Sequence, residues 1–358
     1  MARSAYEVYN IVRGATLPGS GGKLTVSKDF PLTGETWERL RIALHLTTTH
    51  ASEDYPFELA GYYFLKNIVL EGDGRVMVQC PGAALYWLNG IGRGMAPYHK
   101  NVLGAAATYD YVVDIPFRLP QVNRRAEDTF LDSGAYDKMV LELTGGTIAD
   151  IFATVSTAAV TATVDLSVCR TRAGIGGSPP NWKNKPILEP YIKAYPQLST
   201  SGSTPYWDLE SNPNLWLLGF YILSGGSAAA PFFQNGGTNG AWGGVDAWDK
   251  VILDDSARGF VLNQVGVYDF QETRNNLIPY LNAFGGGTHV QSPSLVGLQP
   301  YIFSKDGSCY SGYPTALGAA QKSRVRLQGD LTASQYSDLL VFGGRLIHYG
   351  AKGKQVRA

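Results

Sequence analysis

"KNIVLEGDGRVMV", residues 66–78, has the pattern of a β-hairpin, with aliphatic runs on either side of a short acidic turn. A second stretch, "DKVILDDSARGFV" at 249–261, repeats this build: a lysine, an aliphatic trio, an acidic turn, an arginine and more hydrophobic residues. The two stretches overlay without a gap at a shift of 183 residues, which is about half of the chain. This match indicates that one fold occurs twice.

Two further pairs of segments support the repeat. "VVDIPFRL" at 112–119 lies over "VGLQPYIF" at 296–303 at a shift of 184. "TIADIFATV" at 147–155 and "TASQYSDLL" at 332–340 follow at a shift of 185, and each opens with a threonine that has Asp or Gln three residues on. Thr332 followed by Gln335 three residues later fits a capping box, and we therefore predict a short helix before the final strand of each half.

Strand-like runs dominate both halves. They are short, rich in β-branched and aromatic residues, and bounded by Gly, Pro, Asn, Asp or Ser. Polar and apolar residues alternate in "VMVQC" and "SRVRLQ", as expected for strands with one buried face, and almost no long period of 3.6 residues is present. The pattern predicts an all-β chain of two tandem eight-stranded sandwiches.

The stretch "TRAGIGGSPPNWKNKPILEP" separates the two predicted sandwiches, because its Gly, Pro and Asn density is typical of a linker. We place the first sandwich and an N-terminal arm at 1–172, the linker at 173–190 and the second sandwich at 191–358. Two segments rich in turn residues, 88–108 and 224–248, are predicted to be long loops, the second of them exposed.

The composition limits the classes of function. The chain has 358 residues, 30 basic and 30 acidic, so its formal net charge of zero provides no overall attraction to nucleic acid or an anionic membrane. Its three cysteines, Cys80, Cys169 and Cys309, are far apart, which predicts reduced thiols instead of a disulfide framework or a zinc site. The start of the chain lacks the pattern of a secretory signal, and no apolar stretch approaches the roughly 18 residues of a membrane-spanning helix.

Residue patterns that carry chemistry are weak. None of the five histidines has metal-ligand spacing with another, and the GxSxG and P-loop patterns are absent. Acidic clusters occur at Glu71/Asp73, at Asp254/Asp255 and around Asp132, but acidic residues at turns mostly serve turn formation. We therefore predict that the chain is not an enzyme and has no catalytic, cofactor-binding or metal-binding residues. A calcium site at the turns stays open as an alternative.

Basic residues concentrate at the two ends of the chain. They are Arg3 and Arg13 near the start, and Lys352, Lys354 and Arg357 in the terminal "YGAKGKQVRA". Such residues are able to contact the phosphates of lipid or nucleic acid, although a short basic tail is most often solvated. We predict these five residues as candidate contacts with a membrane or a genome.

The repeated hairpins and the paired helix candidates resemble the double jelly-roll major capsid proteins of the tailless phage and adenovirus lineage. The resemblance covers essentially the whole chain, but it is architectural. It implies a homotrimer that forms a pseudo-hexagonal capsomer of an icosahedral virion, assembled in the host cytoplasm. It also implies outward loops at 224–248, and basic ends that face an internal membrane or the genome without reading a specific nucleic-acid sequence. Some members of this family insert an N-terminal amphipathic helix into the membrane. In this chain the segment at 4–12 is at best a short counterpart of that helix.

The implied partners are further copies of the same chain and minor capsid or vertex proteins. Two other interpretations remain. A carbohydrate-binding or carbohydrate-active tandem β-sandwich would use some of the seven tryptophans as platforms for sugar rings. A spike or minor coat protein would share the structural class but would not need the tandem duplication.

Overall fold

The structure is a computed structural model, and it consists of two β-sandwiches that are joined through a shared sheet. The residues that it describes are 6–49, 60–93, 99–100, 106–117, 131–152, 159–171, 187–199, 206–210, 212, 214–225, 250–255, 259–265, 298–302, 313–314, 323–328 and 336–347.

The first half contributes a six-stranded antiparallel sheet. Its order is β1-β10-β3-β7-β6, with a short β8 that also pairs with β3. The strands are β1 (Tyr6–Leu17), β3 (Thr36–Thr49), β6 (His99–Lys100), β7 (Ala106–Pro116), β8 (Leu131–Asp132) and β10 (Ala159–Thr171).

A nine-stranded sheet contains strands from both halves, in the order β16-β13-β19-β11-β5-β4-β9-β2, with β17 paired to β13. Its first-half strands are β2 (Lys23–Val26), β4 (Leu65–Gly72), β5 (Arg75–Cys80) and β9 (Met139–Gly145). Its second-half strands are β11 (Ile187–Ser199), β13 (Leu215–Gly225), β16 (Leu298–Ile302), β17 (Tyr313–Pro314) and β19 (Tyr336–Ile347).

A four-stranded sheet completes the second half, in the order β12-β18-β14-β15. Its strands are β12 (Tyr206–Asp208), β14 (Lys250–Asp255), β15 (Gly259–Val265) and β18 (Ser323–Gln328). Once the short strands β6, β8 and β17 are set aside, the first, eighth, third and sixth strands of each half form one sheet. The second, seventh, fourth and fifth form the other. This order, repeated in both halves, is that of the jelly roll, so the prediction of a double jelly roll is confirmed.

The repeated sequence blocks occupy equivalent strands. "KNIVLEGDGRVMV" covers β4 and β5, and "DKVILDDSARGFV" covers β14 and β15, the same hairpin of each jelly roll. The first hairpin turns at Asp73 and Gly74, whose φ angles of 49° and 77° define the turn type that matches strand twist. The blocks at 112–119 and 296–303 overlap β7 and β16, which are also equivalent.

Two hydrophobic cores hold the sandwiches together, and strand β19 contributes to both of them, which explains its continuous run of apolar residues. In β19, Leu339 and Val341 belong to the core of the second half, whereas Leu340 and Phe342 belong to the larger core of the first. Neighbouring side chains of a strand point to opposite faces, so both faces of β19 are buried. By contrast, β9 has one buried face and alternates strictly along "MVLELTG".

The helices differ in part from the prediction. A 3-10 turn at Ile148–Asp150 lies before β10, where Thr147 and Asp150 cap each other, as the sequence suggested. The second predicted helix, 332–340, is wrong from residue 336 onward, because these residues begin β19 between two neighbouring strands; residues 332–335 lie outside the described residues. Two helices were not predicted, α1 (Ala60–Phe64) and α2 (Gly82–Arg93).

Three other predictions meet the structure only in places. At 4–12, where the sequence offers at best a short counterpart of a membrane-inserting helix, residues from Tyr6 onward form β1, antiparallel to β10. The loop predicted at 88–108 is partly helical, since α2 runs to Arg93. Of the loop at 224–248, only Ser224 and Gly225 are described, as the end of β13.

The boundary between the halves stays a prediction. Of the linker placed at 173–190, residues 173–186 lie outside the described residues, and Ile187 to Pro190 are the first residues of β11. Within the described part of the chain, no helix has the length and apolar character needed to cross a bilayer.

Candidate functional site

The two jelly rolls meet along a seam between β5 of the first and β11 of the second. These strands pair in parallel, at Val78 with Ile192 and at Gln79 with Lys193. Continued toward the start of both strands, the register would bring Pro190 opposite Val76. Proline has no backbone N–H, so it cannot extend this ladder. The carbonyl of Val76 instead accepts a long hydrogen bond from Nη1 of Arg345, at 3.4 Å.

A fully buried carboxylate, Glu189, lies at the end of the seam. It accepts hydrogen bonds from Nη2 of Arg75 at 2.9 Å and from Nη1 of Arg345 at 2.8 Å. The hydroxyl of Tyr136 donates to it at 3.1 Å. Its side chain has no exposed surface, so two guanidinium groups supply the charge compensation that burial of an anion requires. Arg75 and Tyr136 come from the first half, whereas Glu189 and Arg345 come from the second.

A second carboxylate, Glu210, extends the network toward solvent. Its Oε1 accepts from Nη2 of Arg345 at 3.2 Å, and its Oε2 accepts from the Tyr191 hydroxyl at 3.0 Å. The ammonium of Lys193 lies 3.6 Å from the same Oε2. Burial, with smaller contributions from Tyr195 and Glu210, raises the pKa of Tyr191 far above its usual value, so its hydroxyl stays a donor.

Strand geometry explains why these residues meet. Glu189, Tyr191 and Lys193 alternate along β11 and therefore share one face of the sheet. The antiparallel register with β19 places Glu189 directly opposite Arg345. Residues opposite each other on neighbouring strands are close enough to interact, so the ion pair follows from the register itself.

A cleft opens over this network, and we call it the seam cleft. Its volume is about 430 Å³. Residues of both halves line it: Arg75, Val76, Met77, Gln79, Tyr191, Ile192, Lys193, Glu210, Asn212 and Arg345. The charged members of the lining are three cations and one carboxylate, with Glu189 hydrogen-bonded to two of the cations.

Of the five basic residues predicted as contacts, only Arg13 lies among the described residues. It is exposed on β1, at an irregularity in the pairing with β10 beside Gly14, whose φ is +61°. The structure therefore does not test whether the predicted residues form one patch. Arg3, Lys352, Lys354 and Arg357 lie outside the described residues.

The seam residues were not found from the sequence. Arg75 stands inside the quoted hairpin and Glu189 inside the predicted linker, about 110 residues further along. The available signal was a charged residue within the apolar run "ILEPYI", since a buried charge is rare unless it is paired. The partner arginines could not be identified, because they depend on strand register between the two halves.

The acidic clusters have structural roles where they are described. The carboxylate of Asp73 accepts the backbone N–H groups of Asp137 and Lys138, at 3.0 and 2.9 Å, and ties the hairpin turn to the start of β9. Asp254 pairs with Arg326. Among the described residues, no group of His, Cys, Asp and Glu is arranged to hold a metal ion.

Asp132 lies in a more buried setting, at the start of a 3-10 turn. Its Oδ1 accepts the N–H of Gly134 at 3.0 Å and caps a 3-10 turn at Ser133–Ala135. Its Oδ2 is buried without a partner among the described residues. Burial raises the pKa of Asp132 to about 6, and the hydrogen bond from Gly134 partly opposes that shift.

The tryptophans that the structure describes are packing residues. Trp37, Trp87 and Trp207 are buried in the two jelly rolls, and Trp216 is half-buried. These tryptophans do not form the exposed platforms that carbohydrate recognition would use.

Cys80 and Cys169 are buried and free of disulfide bonds, and burial raises the pKa of both thiols.

Comparison with known proteins identifies solved structures that have a similar fold. No family model matches the chain. No curated protein matches it either. Among solved structures, it is similar to the crystal structure of the STIV MCP, with a TM-score of 0.62, 9% identity, and coverage of 95% of this chain and 96% of that chain.

Two other solved structures are similar over nearly their full length. The PBCV-1 virus capsid has a TM-score of 0.56 and 11% identity, and the match covers 97% of this chain and 95% of that chain. The major capsid protein of bacteriophage PM2 has a TM-score of 0.50 and 12% identity, with coverage of 95% and 98%. The chain thus has the double jelly-roll fold of viral capsid proteins.

Proposed function

We propose that this chain is a major capsid protein, a structural subunit that builds the shell of a virion and does not catalyse a reaction. The observation that carries this proposal is the double jelly roll joined by a shared nine-stranded sheet. The similarity to capsid proteins across at least 95% of the chain supports it. No observation on the described residues favours the carbohydrate-binding alternative.

We further propose a homotrimer, in which six jelly rolls form a pseudo-hexagonal capsomer that tiles an icosahedral shell. The equivalence of the two halves supports this, because a trimer of paired sandwiches presents six similar units around its axis. A formal net charge of zero supports it as well, since like subunits approach without strong mutual repulsion.

The same proposal includes the contacts of the shell. Minor capsid or vertex proteins would bind the capsomers, and the basic ends, with Arg3, Arg13, Lys352, Lys354 and Arg357, would face an internal membrane or the genome. The exposure of Arg13 supports this assignment. Assembly in the cytoplasm of the host and the domain limits at 172 and 190 belong to the proposal too.

The test is the native mass of the purified chain. Light scattering after size exclusion should give three times the chain mass of 38.7 kDa. Electron microscopy of the concentrated protein should then show shells or hexagonal arrays. A chain that stays monomeric at high concentration and forms no ordered assembly in any salt or pH condition would contradict the capsid role.

The basic ends have a separate test. Vesicles with anionic lipids should sediment the wild-type chain more than a variant in which Arg3, Arg13, Lys352, Lys354 and Arg357 are all glutamine. The same comparison with double-stranded DNA of mixed sequence distinguishes the genome from a membrane. Equal sedimentation of both chains with vesicles and equal binding of DNA would remove these residues from the proposal.

A further inference from the structure

The seam cleft carries a local excess of positive charge. Arg75, Lys193 and Arg345 face two carboxylates, Glu210 in the cleft wall and Glu189 below it. The sum is one uncompensated positive charge, in a chain whose formal net charge is zero. The excess is therefore a property of this site and not of the whole protein.

The acceptor oxygens of the cleft are already engaged. Both oxygens of Glu189 accept from arginine, and both oxygens of Glu210 lie against donors. Lys193 is less well satisfied, because its ammonium is 3.6 Å from Glu210, which is too long for a good hydrogen bond. An ammonium has three N–H donors, and this side chain is 30% exposed. Nε of Arg345 is also buried without an acceptor among the described residues.

We propose that the seam cleft binds the carboxylate of an acidic segment of a partner protein, with Lys193 as its main contact. A carboxylate would neutralise the excess charge and accept the hydrogen bonds that the ammonium still offers. The cleft of about 430 Å³ has room for more than the carboxylate alone. Gln79 in the cleft wall is exposed, and its side-chain amide matches a peptide group. A glutamate within a peptide supplies both the carboxylate and the peptide group.

A segment bound here would touch both jelly rolls at once. Gln79 and Met77 belong to β5, whereas Lys193 belongs to β11, so the ligand would span the seam where the strand pairing stops. A ligand that binds only the joined form stabilises it by mass action. Binding should therefore raise the thermal midpoint of the chain, and this readout does not require assembly of a shell.

The test uses the full-length chain and two capped tetrapeptides, one of four glutamates and one of four glutamines. Calorimetry and thermal melts at low salt should show saturable binding and a raised midpoint with the glutamate peptide only. Lys193→Gln should weaken that binding about tenfold or more, the usual effect of losing a charge-assisted hydrogen bond. Lys23→Gln is the matched control, because Lys23 lies in an exposed pair with Glu142 away from the cleft.

Each of several results would overturn the proposal. These are equal affinity of the wild type and Lys193→Gln for the glutamate peptide, equal affinity for the two peptides, and an effect of Lys23→Gln as large as that of Lys193→Gln. Acetate distinguishes a free anion from a protein segment: an equal response at equal concentration rules out the segment. Urea unfolding of Lys193→Gln verifies that the variant is folded. A trimeric capsid protein without this binding would leave the proposed function intact, so the two failures are distinguishable.

Discussion

Replacement of Glu189 by glutamine removes the charge on which the seam depends. Glu189 has no exposed side-chain surface and accepts hydrogen bonds from Arg75 and Arg345 at 2.9 and 2.8 Å. In Glu189→Gln the two guanidiniums keep their charge but lose their shared counterion. Disrupting a buried ion pair by removing one partner costs about 3–5 kcal/mol. That is a large share of the roughly 5–15 kcal/mol that stabilises a typical folded protein.

The control is the same chemical change at an exposed ion pair. Glu142 pairs with Lys23 at 2.7 Å, and the two side chains are 30% and 59% exposed, so Glu142→Gln should cost about 0–1 kcal/mol. Urea unfolding at pH 7, followed by tryptophan fluorescence at one protein concentration, measures both variants. A loss for Glu189→Gln that is no greater than that for Glu142→Gln would refute the account of the seam as a structural anchor.

Three further changes have defined outcomes. Asp132→Asn should raise the thermal midpoint at pH 7.5 and have little effect at pH 4. The pKa of Asp132 is about 6 in the folded chain against an ordinary value of 3.8, so the stability of the wild type falls as the pH rises through this window. A uniform effect at both pH values would contradict this. Gly61→Ala should cost about 1–3 kcal/mol in urea unfolding, because its Cβ would lie 2.0 Å from the ring of Tyr111, and an unchanged midpoint would show that the ring moves freely. Gly74→Ala should cost about 1–2 kcal/mol through its φ of +77° alone, and Gly74→Asn should recover part of that loss, whereas equal losses would argue against backbone strain.

The sequence predicts the jelly-roll repeat because strand pairing within each hairpin is local. The turn at Asp73 and Gly74 and the alternation of β5 are readable from a dozen residues. The helix predicted at 332–340 failed from residue 336 onward, because these residues suit a strand with two buried faces that pairs with β11 and β13. The local preference of a segment for helix or strand does not depend on how many strands it will pair with in the folded chain.

The seam was beyond prediction for a different reason. The contact of Arg75 with Glu189 depends on the parallel register of β5 and β11, which follows from how the two sandwiches are placed. Neither residue belongs to a motif, and the duplication is uninformative here, because β5 pairs with the other half whereas its equivalent, β15, is an edge strand in the described sheet. Asymmetric contacts between repeated units lie outside what a repeat pattern encodes.

The parallel pairing of β5 with β11 also sets an order of events during synthesis. Val78 leaves the ribosome about 110 residues before its partner Ile192. At roughly 5–20 residues per second, β5 spends about 5–20 s as an unpaired edge while the first jelly roll folds. An open edge invites pairing with other nascent chains. The exposed Gln79 and the positive charge of Arg75 on this strand disfavour pairing of the open edge with other copies of β5 until β11 has been synthesised.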